Sequence, residues 1–361
     1  NFQEINGNPD VLALTSNGFG SFVPAGLSPC TTAGEPGSTG QDQFNNPVGY
    51  ANCNFSNVIE YANTGYSIYH GLQSQFRLQG WHGFTGQVSY TFSKTIDNAS
   101  EAFSALSGLG TLFNLSQSPF DVSRAERAVS SYDYPHVLGL LWIYQLPFRR
   151  QQGGLLGHLV GGWQINGTYR YNSGQPWTAV QNAGQGLCDP SNFTGGTLDT
   201  CRPILSSASA PFNSVGVCSD PNAADCGLTN LTTNAATAMS QVHWIVNNIA
   251  AEKFFGSPFI GVGRNTQRGQ PINTVNMAVF KDTKITERLT IQLQAEAFNL
   301  FNHQWLGIPN VNVNSANVNG VNQFGSLAYN PNGGDSNFGS ANIISDGIGR
   351  RRLQFGAKVI F

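Results

Sequence analysis

The sequence predicts an all-β chain forming one antiparallel sheet, a segment of an outer-membrane β-barrel wall. Three observations predict it. Apolar and polar residues alternate with period two over several stretches. Those stretches are about twice the five or six residues of an ordinary soluble strand, and match the ~9–11 residues that a tilted strand needs to cross a bilayer. The connections between them alternate between short and long.

The elements follow in order. Residues 1–67 are rich in Gly, Pro and Asn without clear alternation, and read as the tail of a long loop; residues 68–361 read as the strand-bearing part. Leu72, Ser74, Phe76, Leu78 and Gly80 oppose Gln73, Gln75, Arg77 and Gln79. After a tight turn at His82–Gly83, Phe84, Gly86, Val88, Tyr90 and Phe92 oppose Thr85, Gln87, Ser89, Thr91 and Ser93. A weaker strand near 136–147 puts Leu138, Leu140, Trp142, Tyr144 and Leu146 on one face. Trp163, Ile165, Gly167, Tyr169 and Tyr171 then oppose Gln164, Asn166, Thr168, Arg170 and Asn172. A second weaker strand spans about 273–285, followed by a turn at Glu287–Arg288 and by Leu289, Ile291, Leu293, Ala295 and Ala297 against Thr290, Gln292, Gln294 and Glu296. The last strand alternates Leu353, Phe355, Ala357, Val359 and Phe361 with polar residues.

The long connections are about 98–134, 182–272 and 303–350, and a short one lies near 149–158. Outer-membrane barrels place short turns in the periplasm and long loops outside. A C-terminus in the periplasm then puts every short turn there and every cysteine in an outward loop. Aromatic residues fall where the two interfaces would lie: Trp81, Phe84, Phe148, Trp163 and Phe361 at the periplasmic edge, Tyr69, Tyr171, Trp177 and Trp305 at the outer one.

Composition agrees. Charged residues are 11% of the 361, against about 25% in ordinary soluble domains. The net charge of −2 excludes the basic footprint that nucleic acid demands. No run of 18 apolar residues offers a transmembrane helix, and Asn1 is not followed by a signal peptide, so the chain reads as a mature or truncated piece. Cys30, Cys53, Cys188, Cys201, Cys218 and Cys226 form no C-x-x-C pair and have no histidine at zinc-ligand spacing. Their even number in Gly/Asn/Ser/Pro-rich stretches points to disulfides in an oxidising compartment, with free thiols as the alternative. Proximity favours Cys30–Cys53, Cys188–Cys201 and Cys218–Cys226 among the 15 pairings that six cysteines allow.

No hydrolase, metalloprotease, Walker or dinucleotide motif is present, so neither an enzyme nor a cofactor is expected. In GVGRNTQRG, Arg264 and Arg268 are expected to bond loop carbonyls or carboxylates. Asp121, Arg124, Glu126 and Arg127 form a mixed-charge cluster, expected to pair within its own loop. Residues 234–255 allow a short packing helix with Val242, Ile245, Ile249 and Phe254 on one side. The terminal pattern Phe355, Ala357, Val359, Phe361 looks like the signal that the barrel-assembly machinery reads by strand addition.

SIYHGLQ (67–73), GQVSYTFSKTID (86–97), GGWQINGTYRYNSGQPW (161–177), GRNTQRG (263–269), VFKDTKITERLTIQLQAEAFNLFNH (279–303) and the terminal RLQFGAKVIF resemble the barrel of TonB-dependent receptors. The similar kind carries a carboxypeptidase-regulatory-like N-terminal domain. The resemblance implies a barrel of 22 strands around an N-terminal plug, opened when the periplasmic TonB complex pulls on a box near the N-terminus. Seven strands with neither plug nor box imply an incomplete barrel, the C-terminal third or so of a longer receptor in the outer membrane. It further implies energised uptake of a scarce, large solute such as a siderophore, oligosaccharide or peptide. Solute contacts then fall to the loops and to inward residues such as Arg77 and Arg170, with Trp177 at the rim as the stacking ring. Two other readings are a passive porin-like or adhesin-type barrel and a secreted glycan-binding β-sandwich.

Overall fold

The structure is a computed structural model describing residues 3–33, 35–36, 49–55, 58–100, 117–118, 120, 126–149, 151–181, 202–303, 313 and 350–361. Its main sheet holds β1 (Ser67–Trp81), β2 (Phe84–Asp97), β3 (His136–Gln145), β4 (Trp163–Asn172), β5 (Ile272–Lys284), β6 (Thr290–Phe298) and β7 (Arg352–Ile360). Each long strand pairs antiparallel with the next in chain order, and the short strand Ala128–Val129 adds to β2. Among the described residues, β1 and β7 are each paired along one edge only, so the sheet is open.

The register carries every apolar set to one face. One row across all seven strands reads Leu78, Gly86, Trp142, Gly167, Met277, Ala297, Leu353. A row on the opposite face reads Arg77, Gln87, Leu141, Thr168, Asn276. The apolar side chains are exposed: Leu72 65%, Phe76 63%, Leu353 62% and Phe355 77%. A soluble sandwich would bury this face against a second sheet; here it is left for a non-aqueous surrounding.

The β1–β2 turn has positive φ at both central residues, His82 (48°) and Gly83 (86°), as a two-residue turn that matches sheet twist requires. A register shift lies between Leu78 and Trp81, where Gly80 takes φ 66°. The β5–β6 connection spans 285–289, wider than the expected Glu287–Arg288 turn, because Ile285 N bonds Leu289 O (2.8 Å) and Leu289 N bonds Thr286 O (3.3 Å). The β3–β4 connection is not a plain turn: it contains the helix Gly154–Val160.

Most of the buried apolar residues sit outside the main sheet: the two packed clusters lie largely in the long connection between β4 and β5, joined by Val313 from beyond β6, and Val11, Leu14, Phe19 and Tyr50 are buried near the N-terminus. In the β4–β5 connection a small sheet orders Thr229–Asn230, Val215–Val217, Trp244–Ile245 and Ile204–Leu205. One cluster packs Trp177, Ala179, Val215, Trp244, Val246 and Val313; another packs Ile204, Leu228, Val242, Ile245 and Ala251 around Cys218 and Cys226. The expected helix of 234–255 is correspondingly shorter. It covers only Ile249–Phe255, with Asn248 Oδ1 accepting from Ala251 N (2.8 Å) at its start and Gly256 at φ 75° at its end. Val242 and Ile245, expected on its face, belong to the extended segment before it. Near the N-terminus, Gln3–Asn6 pairs with Ile59–Ala62, and the helix Val11–Ser16 lies between them in the chain.

Candidate solute-facing site

Two regions hold the polar side chains a solute would meet: the polar face of the main sheet, and the long-loop end where its strands enter the loops.

At the loop end, the glycine-flanked segment is a junction. Arg264 Nη2 donates to Asp97 Oδ1, to Asp97 O (2.9 Å) and to Glu126 O (3.2 Å), and Nη1 to Ser100 Oγ (2.8 Å). Glu126 Oε2 also accepts from Arg202 Nη2 at 2.6 Å. Arg268 Nη2 donates to Asp133 Oδ2, and Nη1 to Asp133 O (2.9 Å) and Gly174 O (3.1 Å). Asn265, between them, donates to Val129 O at 2.8 Å. Both arginines thus bond loop carbonyls and carboxylates. Glu126 pairs with Arg202 and Arg264 across loops, because the chain folds residues 202 and 264 back over the end of β2, and its Oε1 accepts from Gln117 N (3.1 Å) within its own loop. Asp121 and Arg124 lie outside the described residues. Among the described ion pairs, Asp97, Glu126 and Asp133 meet Arg202, Arg264 and Arg268, so the junction fastens loops to strands.

Trp177 is set by that same packing. It is 4% exposed and meets Phe212 edge-on at 6.1 Å, inside the loop core. An indole buried to this degree cannot stack on a sugar, so Trp177 is a core residue rather than a rim platform. The residue pattern around it, Pro176–Trp177 pairing with Gln267–Arg268, draws it in under the junction.

Arg77 and Arg170 both lie on the polar face and are exposed. Arg77 faces Gln87 across the strand pair, and Arg170 Nε donates to Asn172 Oδ1 at 3.3 Å. Three strand steps separate them, on the order of 14 Å, so they do not form one site. Beside Arg170, burial pushes the Tyr134 hydroxyl above the usual tyrosine range, while the Arg170 guanidinium pulls it down. Sequence reasoning placed Tyr69 only at a membrane edge. The register puts Tyr69 on the polar face opposite Thr95, 56% exposed, in line with Gln73, Gln75 and Arg77. Its ring lies where a side chain on Gly71 would be, a signal visible in the Tyr-x-Gly spacing.

Cys30–Cys53 and Cys218–Cys226 are disulfides, with Cα separations of 5.1 and 5.2 Å. Cys188, Cys201 and Trp305 lie outside the described residues. On β7, Phe355, Ala357 and Val359 share the apolar face and Phe361 is 96% exposed. Among the described residues no cluster of three or more His, Cys, Asp or Glu is placed to hold a metal.

The model of a family described as outer membrane beta barrel domain matches residues 13–354, nearly the whole chain. No curated protein and no solved structure matches.

Proposed function

The chain belongs to the outer membrane beta barrel domain family, and from that premise we propose that it is part of a TonB-dependent receptor for energised uptake of a scarce, large solute. The observation that carries this reading is the open seven-strand wall itself. A membrane-spanning sheet must close so that no backbone edge meets lipid, and further strands joined to β1 and β7 make a barrel wide enough for a large solute. Of the stretches that resemble such receptors, AEAFNLFNH (Ala295 to His303) is the most specific. In this reading the polar face lines the lumen, with Tyr69, Gln73, Gln75, Arg77 and Arg170 shared between solute and plug. The loop module that buries Trp177 is an ordered mouth. Long connections face the exterior, and the TonB complex acts from the periplasm. The barrel-assembly machinery reads Phe355, Ala357, Val359 and Phe361. The protein catalyses no reaction and carries no cofactor.

Growth on siderophores, oligosaccharides and peptides as the limiting nutrient tests this, comparing a deletion of the gene with a TonB-deficient strain. Loss of growth on the same solute in both strains is expected. Loss in the deletion strain alone would replace energised uptake by a passive barrel.

A further inference from the structure

The helix Gly154–Val160 exposes only aliphatic bulk: Leu155 is 90% exposed, Leu156 61%, Leu159 66% and Val160 42%. At about 100° per residue these four fill one arc of about 140°, with Gly157 and His158 on the other side. The helix is fastened to the apolar face of the main sheet. Trp163 Nε1 donates to Leu159 O at 3.0 Å, and Lys281 Nζ donates to Gly161 O. Trp163 and Lys281 are cross-strand partners on that face, with the ammonium 5.7 Å from the ring centre. Two carbonyls at the helix end, which lack helical partners, are thereby satisfied, as a water-poor setting requires. The cation also lies where the helix dipole favours it.

Charge points the same way. Residues 146–163 contain Arg149, Arg150 and His158 but no Asp or Glu. Phe148 is 55% exposed beside the exposed Arg149. An aliphatic arc, flanking rings and only basic charges are the composition of a segment that lies in an anionic headgroup layer.

We propose that Gly154–Val160 is an interfacial helix, seated in the headgroup layer of the leaflet at the short-turn end. Leu155, Leu156, Leu159 and Val160 enter the acyl chains, while the exposed Arg149 meets lipid phosphates and the buried Lys281 holds the helix end to the sheet. Phospholipid is chosen over a protein partner because the arc joins, through Trp163, a sheet face that family membership places in the membrane. The inference rests on that membership and not on TonB-driven uptake.

The test places a photoreactive benzoylphenylalanine at Leu155, Leu156 or Leu159 of the full protein, reconstituted in phosphatidylethanolamine–phosphatidylglycerol vesicles. Phe76 on the apolar face and Gln75 on the polar face serve as controls. Irradiation is expected to add the mass of one phospholipid at the helix positions and at Phe76, and not at Gln75. A lipid adduct at Phe76 with none at the helix overturns the proposal. So does a helix adduct to protein, whether the same chain or another.

Discussion

Arg264 shows why charges so rare in this chain are worth finding. Its guanidinium is 3% exposed and serves Asp97, Ser100 and Glu126 together. Removing one member of a buried pair strands the others without compensation, at a cost of about 3–5 kcal/mol. Arg264→Met is therefore expected to speed amide exchange at Val262 and Gly269, both backbone-bonded next to the junction, on the order of a hundredfold or more. Unchanged exchange would mean the junction does not hold the loop. Tyr134 gives a pH test. Burial, opposed by Arg170, raises its hydroxyl above the ordinary value of about 10. Below that pH the hydroxyl is protonated in both folded and unfolded chains. Above it the unfolded chain loses the proton first, so this contribution to stability falls as pH rises. Urea midpoints compared between about pH 9 and about pH 11 should fall less in Tyr134→Phe than in the parent; an equal fall in both would remove Tyr134 as the source.

At the scale of elements, two glycines separate packing from backbone effects. Trp142 lies against the space a side chain on Gly167 would fill, and the two are paired across β3 and β4. Gly139, on the same strand as Trp142, has open space where a Cβ would project, with nothing within 4 Å. Gly167→Val is expected to cost about 1–3 kcal/mol through displacement of the indole. Gly139→Ala is expected to be neutral or slightly stabilising, since glycine weakens a strand interior. Urea midpoints of the two variants in detergent check this; equal losses would refute the packing account. The same elements show what period two can and cannot reveal. Alternation fixes which side chains share a face, so the faces of the strongly alternating strands follow from the sequence, whereas β5, with Lys281 on the apolar face and Phe280 on the other, shows no clear alternation. Alternation is silent where the chain leaves the sheet. The helix Gly154–Val160 is too short for a helical period to emerge from LLGHLV. The helix Ile249–Phe255 had its signal in the capping pair Asn248 and Gly256 rather than in the apolar residues upstream. Trp177 was misplaced for a related reason. Its neighbours in space, Phe212 and Trp244, come from a distant part of the chain, and no local pattern reports such contacts.

Over the whole molecule, apolar residues divide between two solvents. In the loop module Val215, Val242, Trp244 and Ile245 are at most 1% exposed, whereas Leu72, Phe76 and Phe355 on the sheet are more than 60% exposed. A water-soluble protein would be expected to treat both sets alike, so one set faces water-excluding packing and the other the bilayer. This division follows from composition, since so few charges cannot solvate both faces of a sheet. The direction in which the sheet crosses the membrane is a separate matter, and two lysines decide it. Lys253 is exposed in the loop module at the long-loop end, and Lys284 is exposed where β5 meets the short turn. If long connections face outward, a membrane-impermeant amine-reactive biotin applied to intact cells modifies Lys253 and spares Lys284. Permeabilising the outer membrane then adds Lys284. Modification of Lys284 alone on intact cells would invert the barrel, placing the interfacial helix in the outer leaflet and the disulfide-bearing module in the periplasm. Peptide mapping of the labelled protein distinguishes the two without any substitution, because both residues are native to the chain.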